Sequence, residues 1–188
     1  MKVGDPDIEK IVFERTKGLL LKCGVKGWNM NLLAQECNMS KRTLYKIIGN
    51  KEDLLYKLTY NTISSDIIRI NKFLQSDKPF FELLHNLSDV IINGFEDYNI
   101  QNIEDLLVEY PKIREMQKEQ VKKHREVFIS FFQKGKDEGF IADYAEPETL
   151  ERMMNAFIVY HLHSCNNKAE FKKHMEKVIN TFIKGITK

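Results

Sequence analysis

The sequence predicts an all-α protein with about nine helices. Three observations carry this. Apolar residues recur at intervals of three and four from Ile8 to Ile186, the spacing of one helix face. No stretch shows the strict polar–apolar alternation of a half-buried strand. All four prolines (Pro6, Pro79, Pro111 and Pro147) fall where a helix would begin, a position that does not use their missing N–H.

The elements follow in order. Asp5 and Pro6 read as an N-cap and first helical residue, with Ile8, Ile11, Val12 and Leu19 on one face and Gly24 as the stop. A short second helix covers 29–37 and a third covers 40–47. Gly49-Asn50 breaks the chain, and a long helix runs over 51–75 with Leu54, Leu55, Leu58, Ile63, Ile67, Ile70 and Leu74 on its apolar side. After the polar break at 76–79, residues 80–95 form a helix apolar over a wide arc, which predicts a central position. A short helix at 102–108 is followed by a long one at 111–138, ended by Gly139. The last two helices span 146–165 and 168–186. Internal repeats and low-complexity tracts are not evident.

Composition sets outer bounds. With 43% hydrophobic and 30% charged residues the chain can bury a core and remain soluble. Its net charge of +2 does not announce a nucleic-acid binder, so the placement of charge decides. No apolar run approaches the roughly 18 residues of a membrane helix, and the N-terminus lacks a secretory h-region. Cys23, Cys37 and Cys165 are odd in number and far apart, with no Cys-x-x-Cys pair, which argues against a disulfide framework or a structural zinc site and for a reducing cytoplasm.

The most informative stretch is 27–55. Asn29 caps the second helix, and Met30, Leu33 and Ala34 point inward, Ala34 being small enough for two helices to cross closely. Asn38 suits the left-handed conformation of a sharp turn, which Met39 plugs. Ser40 caps the third helix, anchored by Leu44, Ile47 and Ile48. Lys41, Arg42, Thr43, Tyr45 and Lys46 remain outside. From Ser40 to Lys51 there are four basic residues and no acidic one. This is a helix-turn-helix with a cationic recognition helix, whose first residues reach base edges in such motifs. Asn29, Asn31, Ser40, Tyr45, Lys46 and Lys51 are expected at the DNA as well, Lys51 on a phosphate beside its helix's amides.

Ala34, Ser40-x-x-Thr43-Leu44-Tyr45 and Asn50-Lys51-Glu52-x-Leu54 resemble the tetracycline-repressor (TetR) family. That family carries an Ile-Ala pair, then Gly-Val-Ser-x-x-Thr-Leu-Tyr-x-x-Phe, then Lys-Glu-x-Leu. The strong match covers 7–58; beyond it only helix order and Glu109-Tyr110-Pro111 agree. Leu33, Asn38, Met39 and Ile48 replace Ile, Gly, Val and Phe, and Trp28-Asn29 replace small hydroxyl residues. The resemblance implies a head at 1–50 and a body at 51–188 that dimerises and senses a small molecule. It also implies a transcriptional regulator, most simply a repressor, that binds a palindromic operator as a homodimer and leaves it when the ligand binds.

The body carries three further expectations. On the last two helices, Met154, Ile158, Leu162, Phe171, Met175, Val178 and Phe182 form apolar arcs wider than one core needs, and a second subunit would cover them. Tyr60, His85, Tyr98, Tyr110, His124, Phe128, Phe157 and His161 mix aromatic and isolated polar groups, the composition of both a ligand cavity and a core. His161 and His163 lie two apart and point in different directions, so no metal site and no cofactor is expected. Lys118, Lys122, Lys123 and Arg125 alternate with Glu115, Glu119 and Glu126, a solvated face. No nucleophile–base pairing or phosphate loop suggests an enzyme. A second reading keeps the fold but docks the head on a protein; salt dependence separates the two.

Overall fold

The computed structural model describes residues 6–188, and for Pro6 and residues 97–100 the backbone only. The expected Asp5 cap and the side chain of Tyr98 therefore lie outside the described residues. Among those described, nine helices account for the fold: α1 (Pro6–Cys23), α2 (Met30–Glu36), α3 (Lys41–Ile48), α4 (Lys51–Leu74), α5 (Phe80–Asn93), α6 (Asp97–Glu109), α7 (Pro111–Asp137), α8 (Pro147–Ser164) and α9 (Lys168–Ile186). None is long and apolar enough to cross a membrane. One isolated bridge, Ile141 to Thr187, pins the end of the chain to the α7–α8 loop.

The helices enclose two apolar cores. The first lies in the head: Val12, Leu19 and Leu20 of α1, Leu33 and Ala34 of α2, Leu44 and Ile48 of α3, and Leu54, Leu55 and Leu58 of α4. It does not stop at residue 50, because Ile103, Leu106 and Leu107 of α6 and Ile113 and Met116 of α7 complete it. The buried Asn102 amide donates to the Leu20 carbonyl and ties α6 to α1. The second core fills the body around α5, whose Phe80, Leu83, Leu84, Leu87, Ile91 and Ile92 are all buried. Burying each such side chain contributes about 1.5–3 kcal/mol.

Some details depart from the sequence reading. On α1 the buried face runs through Ile8, Val12, Thr16 and Leu19, while Ile11 is exposed. Thr16 occupies that face by donating its hydroxyl to the Val12 carbonyl at 2.8 Å, so its polarity is satisfied within the helix. Helix α6 begins at Asp97, five residues before its expected start at 102, because Gly94, Phe95 and Glu96 supply the whole link from α5 and the helix restarts at once. Its polar first turn hid the period.

At Gly135 α7 comes so close to α5 that a Cβ would lie 2.3 Å from the Phe80 ring. Phe80 is fully buried and packs at 4.8 Å on the tilted Phe131 ring, which leaves it little room to yield.

Candidate nucleic-acid interface and ligand cavity

The head presents α3 by fixing both of its ends. Ser40 is extended and its hydroxyl accepts from the Thr43 amide at 3.1 Å, while the Ser40 and Thr43 hydroxyls pair at 2.8 Å. The turn before it places Asn38 at φ 51°, the left-handed region where asparagine is tolerated. The helix ends at Gly49 (φ 73°), where a Cβ would meet the Asp53 carboxylate at 2.5 Å. That carboxylate belongs to a capping box: Asp53 N–H donates to Asn50, and Asn50 N–H to Asp53.

The sides of α3 are sharply divided. Leu44 and Ile48 are 0% and 1% exposed and pin the helix to the head core. Lys41, Arg42, Tyr45 and Lys46 are exposed, and the Lys41 ammonium sits 5.9 Å from the Tyr45 ring. Thr43 is half-buried beside Ser40. Asn29 and Asn31 lie at the exposed start of α2, where the Asn29 carboxamide accepts from the Asn31 and Leu32 amides at 2.9 and 3.1 Å.

Lys51 differs from its expected phosphate role. Its ammonium donates to the carbonyls of Val25 and Trp28, at 2.7 Å each, and lies 4.2 Å from the Trp28 ring. Burial lowers its pKa. Two of its three donors thus hold the α1–α2 loop against α4, an internal brace rather than an outward contact.

In the body, a cavity of about 170 Å³ lies between α4, α7 and α8. Ile63, Ile67, Phe128, Met154 and Ile158 give it apolar walls. Its polar groups are few and held in place. Arg125 Nε donates to the buried Glu151 carboxylate at 2.9 Å. His124 Nδ1 pairs with the Asn71 amide at 2.9 Å, and burial lowers the His124 pKa. Asp66 is pushed up to about 6, chiefly by burial, against the pull of Arg69 at 3.4 Å. An apolar cavity with a few oriented polar groups is what a small amphipathic molecule requires.

Of the expected ligand residues whose side chains are described, the structure brings His124 and Phe128 to this cavity. Tyr60 and His85 are exposed, stacked on Tyr56 and Phe81. Tyr110 packs on the head core at the α6–α7 joint. Phe157 lines a groove of about 680 Å³ between α8 and α9. His161 lies at the α8–α9 turn, buried beside Cys165 and His174 rather than paired with His163. Sequence reasoning missed Asp66, Arg125 and Glu151. The available signal was a lone acid inside an apolar stripe: Asp66 between Ile63 and Ile67, and Glu151 between Leu150 and Met154.

Most of the residues expected at a dimer interface turn inward within the single chain. Met154, Leu162, Phe171, Met175 and Phe182 are buried within the body core, Phe171 against Phe95 and Phe182 against Phe132. Ile158 faces the cavity, while Val178 and one side of Phe182 border the outer groove. The arc that α8 turns outward instead carries Met153 (42% exposed) and Tyr160 (67%), with Phe157 between them at the groove. Both arcs have helical spacing, and the greasier one went to the core.

Two members of the second basic cluster pair within α7, whereas Arg125 reaches Glu151 of α8. Lys118 meets Glu115 at 3.0 Å and Lys123 meets Glu119 at 2.9 Å.

No family model matches the chain. A curated relative, an uncharacterized HTH-type transcriptional regulator of Haemophilus influenzae, is 29% identical over 82 residues. That match spans 44% of this chain and 44% of the relative, so the chain covers less than half the length of the protein it matches. Solved structures align over nearly the whole length. Reduced NemR of E. coli matches with a TM-score of 0.77 at 13% identity, covering 97% of both chains. The TetR-family regulator PfmR of Thermus thermophilus matches at 0.75 and 16%, covering 92% of this chain and 97% of its own. SmeT, the repressor of a Stenotrophomonas maltophilia multidrug efflux pump, matches at 0.72 and 15%, covering 96% and 90%. The chain therefore has the fold of the TetR-family transcriptional regulators.

Proposed function

We propose that this chain, folded as TetR-family regulators are, belongs to that family and is a DNA-binding transcriptional regulator with a head at 1–50 and a body at 51–188. The observation that carries the reading is α3. Its Lys41, Arg42, Tyr45 and Lys46 stand in solvent, while Leu44 and Ile48 hold the helix rigidly from behind. A short cationic helix fixed at both ends fits the major groove, where its first residues meet base edges and its later cations meet phosphates. In this reading Arg42 and Thr43 set the preferred sequence. Lys41, Tyr45 and Lys46 hold the backbone, with Ser40, Asn29 and Asn31 beside them. Lys51 contributes by bracing the head.

One such helix reads few base pairs, so the reading includes a homodimer whose heads meet successive major grooves of a palindrome, about 34 Å apart. The outward arc of α8 and α9, with Met153, Phe157 and Val178, is the face that a second copy would cover. The cavity between α4, α7 and α8 is the effector site in this reading. Because α4 runs from the head to that cavity, a ligand that favours a different placement of α4 lowers DNA affinity through its differential affinity for the two states. Repression, with release by an amphipathic small molecule, is the simplest form of this mechanism. SmeT, one of the proteins sharing this fold, also has a solved complex with triclosan.

Selection of bound duplexes from a random pool tests the reading. A palindromic consensus is expected, and Arg42→Ala should relax it by about 1–3 kcal/mol at the contacted base pair. Recovery of no preferred sequence by the intact protein would refute the operator-reading role of α3.

A further inference from the structure

The turn from α8 to α9 gathers three side chains that the regulator reading does not use. His161 and Cys165 lie one helical turn apart at the end of α8, and both are buried. His174 reaches them from the second turn of α9 and is exposed. One potential ligand atom from each residue lies within 4.8 Å of the other two. The two imidazole rings are 5.5 Å apart and nearly perpendicular, at 76°. In a tetrahedral zinc site, bonds of about 2.0–2.3 Å place neighbouring ligand atoms about 3.3–3.8 Å apart. Of the three, His174 is exposed and is the side chain with room to move towards that spacing.

A second observation points the same way. Nδ1 of His161 is buried and has no hydrogen-bond partner. Buried polar nitrogens are almost always satisfied, so an orphan beside a thiol and a second imidazole asks for an electrophile. Glu170 is not part of the set. Its carboxylate is held at the start of α9 by the Asn166 backbone N–H and side-chain amide, at 2.9 and 3.2 Å.

We propose that His161, Cys165 and His174 form a binding site for a borderline-soft divalent transition-metal ion of the zinc type. Two imidazoles and one thiolate select such an ion over Mg²⁺ or Ca²⁺, which take oxygen ligands. Three protein ligands leave a fourth position to water or an exogenous ligand. Binding forms the sulfur–metal bond and releases the Cys165 thiol proton to solvent; both histidines bind as neutral imidazoles, and no redox change occurs. The ion would lock α8, which also carries Glu151, Met154 and Ile158 of the body cavity, to α9.

The test uses the full chain, stripped with a chelator and titrated with Co²⁺ and then Zn²⁺. A saturable thiolate-to-cobalt charge-transfer band is expected at one equivalent per chain, bleached by one equivalent of Zn²⁺. Cys165→Ser should abolish the band. His174→Gln changes an exposed residue and should leave the fold intact, yet weaken zinc at least about tenfold. His163→Gln should alter neither. Absence of the band overturns the site, as does a band that survives Cys165→Ser. Zinc affinity indifferent to His174→Gln also overturns it, and that variant decides alone if Cys165→Ser fails to fold.

Discussion

Asp66 sits on α4 with Ile63 and Ile67 as neighbours along the cavity wall, where burial outweighs Arg69 and lifts its carboxyl from 3.8 to about 6. The sign of the consequence follows from proton counting. Between about pH 4 and pH 6 the folded chain keeps a proton on Asp66 that the unfolded chain has lost. Stability contributed by this group therefore falls as pH rises through that window, by at most about 3 kcal/mol, and the penalty is complete above it. Asp66→Asn should flatten the pH profile of urea midpoints across the window and raise stability at neutral pH. An unchanged slope would show that Asp66 is not buried as described. Single residues are also where the sequence was least legible. The exposed set Lys41, Arg42, Tyr45 and Lys46 could be read directly, because helical spacing separates it from Leu44 and Ile48. Lys51 could not. Its partners Val25 and Trp28 stand 26 and 23 residues earlier in the chain, and their carbonyl directions depend on how the α1–α2 loop folds back.

At the scale of elements, local chemistry and period carried most of the fold. Asn29, Ser40 and Asn50 each cap the helix that follows, as their types and positions suggest. Period fails where a helix has two apolar arcs. On α9, Phe171 and Met175 could face either the core or a partner; α5 decides the matter by burying them, which no local pattern encodes. The contact between α5 and α7 is of the same long-range kind. Gly135 reads in sequence as an ordinary break in helix propensity, whereas it is the point where the Phe80 ring leaves no room for a Cβ. Gly135→Ala gains helix propensity but overpacks a rigid ring, and the second effect is larger: about 1–3 kcal/mol against about 1 kcal/mol. A net loss of thermal stability is expected in a melting experiment. A rise in the midpoint would mean that the two helices separate easily.

For the whole molecule, the two cores meet in shared helices. Helices α4 and α7 each contribute residues to both the head core and the body core, so a shift at the cavity can reach α3 without a flexible hinge. The proposed dimer follows from the outward arc. Met153→Glu places a charge on that arc while leaving the core intact, since Met153 is 42% exposed. Sedimentation should then show monomers with an unchanged melting midpoint and much weaker operator binding; a persistent dimer would move the interface elsewhere.

If α3 carries its cations into a DNA groove, affinity for duplex DNA depends on salt through the phosphates those cations neutralise. Log affinity should fall steeply and linearly with log salt. Lys46→Ala should reduce the slope by about one while stability shifts by less than about 0.5 kcal/mol. A flat salt dependence, or a Lys46→Ala slope equal to that of the parent chain, would contradict this placement of the cations.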